Sequence, residues 1–372
     1  MVYSIGCSVE DIETPALLLD LDKFQWNVDK MFDFARKARV NVRPHAKTFK
    51  AAAICSKLLE AGAIGLMTQK LGEAEVLLHS GVLYGDKNIL ISQEFADPAK
   101  VEKVVGMNVA MGEGKVLTSI ENAEEAELLS KAALRWGIKQ HVIIEMSHGR
   151  CGTAPGKPTV DLAKNVVSLK GLKFRGIYGY ENPVEKEVAL QRNKVTVETA
   201  NMIRDAGIEV EIVSAGSTGT YEVTGTYPGI TEIEPGSFVF GVSPEGTGYG
   251  FRTMNDVYFK SSLSVLTQII GANFLDRVVT DAGQKVMSSG VAPLVRVDEE
   301  VIECERVSLS EEHGTVQFKE GSEVRKRLKW GQKIEFIPSH CCTAINQHDN
   351  LLVIKDGKLA AVWPITARGK YY

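Results

Sequence analysis

Between about residues 40 and 245 the chain alternates short apolar runs with helix-length amphipathic stretches, and this rhythm constrains the fold more than any other feature. The strand-like runs are 40–45, 64–67, 88–92, 115–119, 141–146, 173–178, 209–213 and 238–241. Between them, Ala51, Ile54, Cys55, Leu58 and Leu59 share one helical face, and Leu162, Val166 and Leu169 repeat the spacing. Eight such units in about 200 residues predict an α/β fold of the TIM-like (β/α)8 barrel type. Periodicity alone leaves a doubly wound open sheet as the rival. After residue 255 the texture changes to runs at 258–271, 295–306, 314–318, 332–337, 351–355 and 358–363. Tight turns such as Lys355-Asp356-Gly357-Lys358 join them, which predicts a C-terminal β-rich domain. A strand at 16–22 precedes a helix on which Phe24, Val28, Met31, Phe32 and Ala35 share a face. The expected division is 1–25, a strand segment joining the β domain; 26–245, the barrel; and 246–372, the β-rich domain.

Composition narrows the function classes. The 372 residues are 44% hydrophobic and 24% charged, the balance of a folded chain. With 43 Lys and Arg against 47 Asp and Glu there is no excess positive charge for nucleic acid or an anionic membrane. No apolar run approaches the ~20 residues that span a bilayer. The first residues lack a basic patch followed by an apolar stretch, so the expected location is the cytoplasm. Six cysteines, with no CxxC pair among them, are expected as reduced thiols.

In a barrel, reactive groups stand at the C-terminal ends of the strands, and phosphate is often held after the seventh and eighth. The first run ends in Arg43-Pro44-His45-Ala46-Lys47-Thr48, where Lys47 is a candidate Schiff-base lysine. The seventh is followed by Ser214-Ala215-Gly216-Ser217-Thr218-Gly219-Thr220 and the eighth by Gly241-Val242-Ser243, small hydroxylated segments suited to a phosphate. Arg150, between glycines after the fifth run, is a candidate donor to a ligand nitrogen or carboxylate. Tyr178 and Tyr180 follow the sixth. In the β domain, His340 and Cys342 lie one residue apart; on an extended segment both would share a face and Cys341 would turn away. Imidazole plus thiolate suits zinc.

Together these segments resemble a known family. They include Thr14-Pro15-Ala16, the 43–48 segment, Gln69-Lys70-Leu71-Gly72-Glu73-Ala74-Glu75, Gly149-Arg150-Cys151-Gly152, the 214–220 loop, Glu234-Pro235-Gly236, Asp281-Ala282-Gly283 and Pro338-Ser339-His340-Cys341-Cys342. In this order they are similar to the metal-activated, pyridoxal-phosphate-dependent enzymes of fold-type III, the alanine-racemase-like class. That class contains D-serine dehydratase, D-threo-3-hydroxyaspartate dehydratase and D-threonine aldolase. The resemblance covers nearly the whole chain.

The resemblance implies that Lys47 binds the cofactor covalently and Arg150 faces its pyridine nitrogen. Tyr178 would lie near the ring, and Ser217, Thr218, Gly219, Gly241 and Val242 would hold the phosphate. His340 and Cys342 would bind a divalent metal: zinc, with manganese or magnesium as alternatives. It also implies a homodimer acting on a small D-3-hydroxy amino acid. Phe49, where many relatives carry histidine, and Gly290, where an acidic residue is common, depart from the pattern.

The reaction expected is dehydration and deamination to a 2-oxo acid and ammonia, because aldolase relatives tend to carry aspartate where this chain has Cys342. Aldol cleavage to glycine and an aldehyde is the alternative. A racemase would leave the His-Cys pair without a task, and a non-catalytic cofactor-binding protein would not need the long C-terminal domain.

Overall fold

The computed structural model describes residues 4–180, 185–241, 259–287 and 293–372. Strand β1 (Ala16–Asp20) leads directly into helix α1 (Leu21–Ala38), whose start is capped by the Asp20 carboxylate accepting from Lys23 N. Phe24, Val28, Met31, Phe32 and Ala35 are the buried face of α1, as the spacing predicts.

Eight strands then alternate with helices: β2 (Asn41–Val42), α2 (Ala52–Glu60), β3 (Gly65–Thr68), α3 (Leu71–His79), β4 (Asn88–Ile91), α4 (Pro98–Met111), β5 (Val116–Ile120), α5 (Ala123–Arg135), β6 (Gln140–Glu145), α6 (Lys157–Ser168), β7 (Leu172–Gly179), α7 (Lys186–Asp205), β8 (Ile212–Ala215), α8 (Tyr221–Gly225) and β9 (Glu232–Ile233). All pair in parallel, in the order β2-β9-β8-β7-β6-β5-β4-β3. A parallel bridge from His45 to Met67 and the bond from Met67 N to Pro44 O bring the first and last strands together. The sheet is therefore a nearly closed barrel, and the open-sheet rival is excluded. Its interior is filled by Met67, Leu90, Leu117, Ile143, Tyr178 and Ile212. These come one from each of six strands, the alternation that a barrel core requires.

One strand expectation is corrected. The apolar run at 238–241 is not the eighth strand: Ser237–Val239 forms a 3-10 turn, and the eighth strand is β9. The misreading has a physical cause. β9 is two residues long and one of them is Glu232, a charge that hides a buried strand from any apolar pattern. Glu232 is accommodated because Arg43 Nε and Nη2 donate to its two oxygens at 2.8 and 3.1 Å, while Arg43 Nη1 reaches Asn88 Oδ1 at 2.6 Å. This forked pair clamps neighbouring strands from inside; removing one partner would strand a buried charge at a cost of about 3–5 kcal/mol.

The second sheet contains β10 (Leu263–Gly271), β11 (Arg277–Thr280), β12 (Leu294–Val297), β13 (Glu300–Val301), β14 (Arg306–Leu309), β15 (Gly314–Gln317), β16 (Lys333–Ile337), β17 (Asn350–Lys355) and β18 (Lys358–Pro364), with short helices α9 (Glu323–Arg327) and α10 (Cys341–Ile345). β1 completes it, antiparallel to β10 and parallel to β17. The single run expected at 295–306 is broken at Asp298 and Glu299, whose left-handed φ values of 49° and 68° turn the chain back. Strand β11 lies outside every predicted run.

Candidate active site at the barrel mouth

The carboxyl ends of the barrel strands carry a dense set of polar side chains. Beyond β2, Lys47 sits in the 3-10 turn Ala46–Thr48, and its Nζ donates to Gln69 Oε1 at 3.4 Å. Gln69, just past β3, is itself fixed: Nε2 donates to Ser92 O at 2.6 Å and its backbone N to Glu73 Oε2 at 2.9 Å. The Tyr180 ring has two cations near it, with Lys47 Nζ 5.3 Å and the Arg150 guanidinium carbon 4.9 Å from its centroid. Burial lowers the Lys47 pKa from its ordinary value, with Cys342 opposing. A lysine biased toward the free amine is what a carbonyl-capturing residue needs. Burial likewise holds His45 well below its usual range, so the imidazole beside Lys47 is neutral.

Helix α10 of the second sheet reaches this turn. Cys342 Sγ and Thr48 Oγ1 are hydrogen-bonded at 3.4 Å, joining residues 294 positions apart. The extended geometry expected for 340–342 is corrected here. His340 is extended, with φ −142° and ψ 108°, but it caps α10, and Cys341 and Cys342 form the first helical turn. His340 and Cys342 still meet, since both His340 and Thr48 hydrogen-bond the Cys342 sulfur. Cys341 does not turn away. Its thiol donates to Cys342, which holds Cys342 well below and pushes Cys341 well above the ordinary thiol range. Among the described residues, no third His, Cys, Asp or Glu joins His340 and Cys342 in a metal-sized group. A metal held by two such side chains would keep positions open for substrate.

Across the mouth, Tyr178 is fully buried and its hydroxyl donates to Glu145 Oε2. Burial and the neighbouring Glu145 carboxylate push that hydroxyl well above its ordinary range, so it remains a donor. Arg150 Nη2 lies 3.7 Å from Glu145 Oε1. After β8, Thr218 is committed to the scaffold, because its hydroxyl accepts from Gly236 N and Phe238 N at 3.2 Å each. Ser217 is half-buried, with its N donating to Thr220 Oγ1 at 3.0 Å, and Gly219 is buried. Gly241 has φ +87°, and a Cβ there would stand 2.0 Å from Lys260 O, so the position requires glycine for packing. Val242 and Gly290 lie outside the described residues; Phe49 is fully buried in the core.

The residues fit a pyridoxal-phosphate group. Beside the amine, guanidinium and hydroxyl-glycine loop, buried polar atoms with no hydrogen-bond partner among the described residues stand at the strand ends, His45 Nδ1 and Glu234 Oε2 among them. Buried polar atoms are normally satisfied, and such orphans mark a place where a polar ligand belongs. Sequence reasoning missed Glu94, Glu145 and the role of Gln69. Glu145 was in view as the penultimate residue of a strand run, pointing to the same side as Tyr178 on the neighbouring strand.

Residues 19–244 match the alanine racemase N-terminal domain model, and residues 262–354 match the putative serine dehydratase domain model. The chain is 29% identical to 3-hydroxy-D-aspartate aldolase of Paracoccus denitrificans, over 99% of this chain and 95% of that protein. It is 24% identical to D-threo-3-hydroxyaspartate dehydratase of a Delftia species, over 89% and 91%. The structure of D-threonine aldolase from Filomicrobium marinum superimposes with a TM-score of 0.89 at 30% identity, each chain fully covered. With this barrel, this C-terminal sheet and these relatives, the chain belongs to the fold-type III pyridoxal-phosphate enzymes, in the family of the D-threonine aldolases and D-serine dehydratases.

Proposed function

We propose that the protein is a pyridoxal-phosphate- and divalent-metal-dependent lyase of D-3-hydroxy amino acids that cleaves the Cα–Cβ bond to release glycine and an aldehyde. The observation that carries the lyase reading is the meeting of Lys47 with Cys342 and His340 at one barrel mouth. A covalent amine and a metal pair within reach of one small substrate suit chemistry at adjacent carbons. The choice of aldol cleavage is supported by the aldolases at 29–30% identity over essentially the whole chain. Elimination to ammonia and a 2-oxo acid is the second reading, favoured by a thiol at Cys342. It was the sequence-based expectation, and the relatives give it no preference.

Lys47 would bind the cofactor, Arg150 would face its ring nitrogen, and Ser217 with the backbone of Thr218, Gly219, Gly241 and Val242 would surround its phosphate. Imidazole and thiolate make zinc the metal we infer for His340 and Cys342. When bound, the cofactor supplies an electron acceptor for the bond broken at Cα, and the metal a Lewis acid at the substrate hydroxyl. Lys47, freed as an amine when substrate enters, is the group that moves a proton at Cα. In aldol cleavage it would take up the proton that the metal-held hydroxyl gives up as the Cα–Cβ bond breaks and return it to Cα after the aldehyde leaves; in elimination it would remove the Cα proton first. Gln69 keeps its Nζ directed into the mouth, and the Tyr180 ring covers it from water. Arg150 stays charged at any working pH and so opposes protonation of a nitrogen placed against it.

Purified protein reconstituted with pyridoxal phosphate and zinc should be given D-threonine, D-serine and D-threo-3-hydroxyaspartate in turn. Glycine plus aldehyde from D-threonine is the expected result. Ammonia plus 2-oxo acid transfers the assignment to the second reading, and no product from any D-3-hydroxy amino acid removes both.

A further inference from the structure

The cluster at the ends of β4, β6 and β7 has no task in the chemistry above beyond Tyr178 and Arg150. Glu145 is the last residue of β6, is buried, and lies opposite Tyr178 in the parallel register. Its Oε2 accepts from the Tyr178 hydroxyl, and its Oε1 stands 3.7 Å from both Arg150 Nη2 and Cys151 Sγ. Glu94 hydrogen-bonds the same carboxylate, and one oxygen from each acid and the Cys151 sulfur lie within 4.8 Å of one another.

Two carboxyls and a thiol at that spacing have the outline of a metal site, but their chemistry opposes it. Burial pushes Glu94 up to about 8 and raises the Cys151 thiol, so at neutral pH both carry protons. Metal ligands must shed theirs. The remaining donor, Glu145, already accepts from Tyr178 and faces a guanidinium. The cluster is therefore one negative charge, fixed by three hydrogen bonds from Tyr178, Glu94 and the Cys151 thiol, beneath Arg150.

Among the described residues, Arg150 has its ion pair with Glu145. Its backbone is pinned nearby, through Gly152 N to Glu121 Oε2 at 2.6 Å and Thr153 N to Glu145 O at 2.8 Å. Its side chain is 55% exposed; it hydrogen-bonds the sulfur of the adjacent Cys151 and rests over Tyr180, and the carboxylate paired with it among the described residues is Glu145. A long side chain that exposed loses its direction unless a fixed opposite charge selects it.

We propose that Glu145 is the positioning residue for Arg150: its carboxylate, anchored by Tyr178 and Glu94, directs the guanidinium across the barrel mouth toward the ring nitrogen of the cofactor. This rests on the reading of Arg150 given under the proposed function.

The test is titration of apoprotein with pyridoxal phosphate, alongside apoprotein melting and the visible band of the bound cofactor from pH 9 to pH 6. Glu145→Gln keeps the shape and removes the charge. It should bind pyridoxal phosphate about tenfold more weakly with melting little changed. Its visible band should shift on acidification where that of the wild type does not, because a ring nitrogen no longer faced by a fixed cation can take a proton. Glu145→Asp should recover most of the affinity and abolish the acid shift; should the glutamine variant not fold, Asp within threefold of wild type with no acid shift is the expected result. Wild-type affinity and a pH-independent band in Glu145→Gln would overturn the proposal while leaving the function intact. Failure of the wild type to bind pyridoxal phosphate at Lys47 would overturn both.

Discussion

The two walls of the barrel mouth are assembled on different principles. The Glu145–Tyr178–Arg150 wall comes from adjacent parallel strands and the loop between them, so hydrogen-bonded register alone brings Glu145 opposite Tyr178. The Lys47–Cys342 wall joins a turn of the barrel to a short helix of the second sheet, across 294 positions of sequence. One wall is a local property of a sheet; the other exists only when two sheets dock. The first, together with Lys47, should hold a cofactor whatever happens at His340 and Cys342, and that docked pair should govern the reaction performed on it.

The sharpest way to break that comparison is Cys342→Ala. With the Glu145–Arg150 wall and Lys47 untouched, the protein should still bind pyridoxal phosphate and melt within a few degrees of wild type. Lyase turnover should fall on the order of 10³-fold, since the Lewis acid contributes several kcal/mol to the barrier. Steady-state rates with and without chelator check this, and a variant as active as wild type would show that the docked wall has no chemical role.

A smaller effect is expected at Cys341. Its thiol donates to Cys342, so on the proposed assignment it would act through the metal ligand rather than as one. Cys341→Ala should weaken zinc binding roughly tenfold, as loss of an outer hydrogen bond to a metal ligand does. Metal-dependent activity titrations would detect it; if Cys341→Ala abolished zinc binding outright and Cys342→Ala did not, the two roles would be reversed.

The smallest effect concerns Glu234, beyond β9, where the two walls meet. It is buried with its Oε1 accepting from Ser214 Oγ at 2.5 Å, and burial pushes its pKa from 4.5 up to about 8. The folded state thus binds a proton that the unfolded state releases. This contribution is complete below pH 4.5 and is lost as pH rises through about 8, with a slope of at most about 1.4 kcal/mol per unit. Denaturant unfolding at pH 6 and pH 9 should show a loss of stability in wild type that Glu234→Gln reduces. Glu94 and Glu125, raised to about 8 and about 7, leave part of the slope in place.

The same contrast explains what was legible in the sequence. Strand runs and helix spacing located seven of the eight barrel strands and the α1 face, because a parallel strand buried on both sides is apolar throughout. β9 escaped because Glu232 is charged, and only its partner Arg43, 189 positions away, makes that tolerable. Lys47, Arg150 and Tyr178 could be placed at strand ends by a rule of the fold. That Cys341 supports Cys342 could not, because an alternation argument presupposes an extended segment and His340 instead caps a helix. Glu94 and Glu145 were hidden for a further reason. A single acid at a strand end is commonplace, and its meaning lies in a neighbour that only the barrel supplies.

The proposed function requires pyridoxal phosphate on Lys47, which borohydride reduction of the reconstituted protein would reveal. Reduction should fix pyridoxal phosphate on one peptide, at Lys47, in the wild type and equally in Cys342→Ala. Trapping at the neighbouring Lys50 or at Lys70, or no trapping at all, would contradict the site and the function built on it.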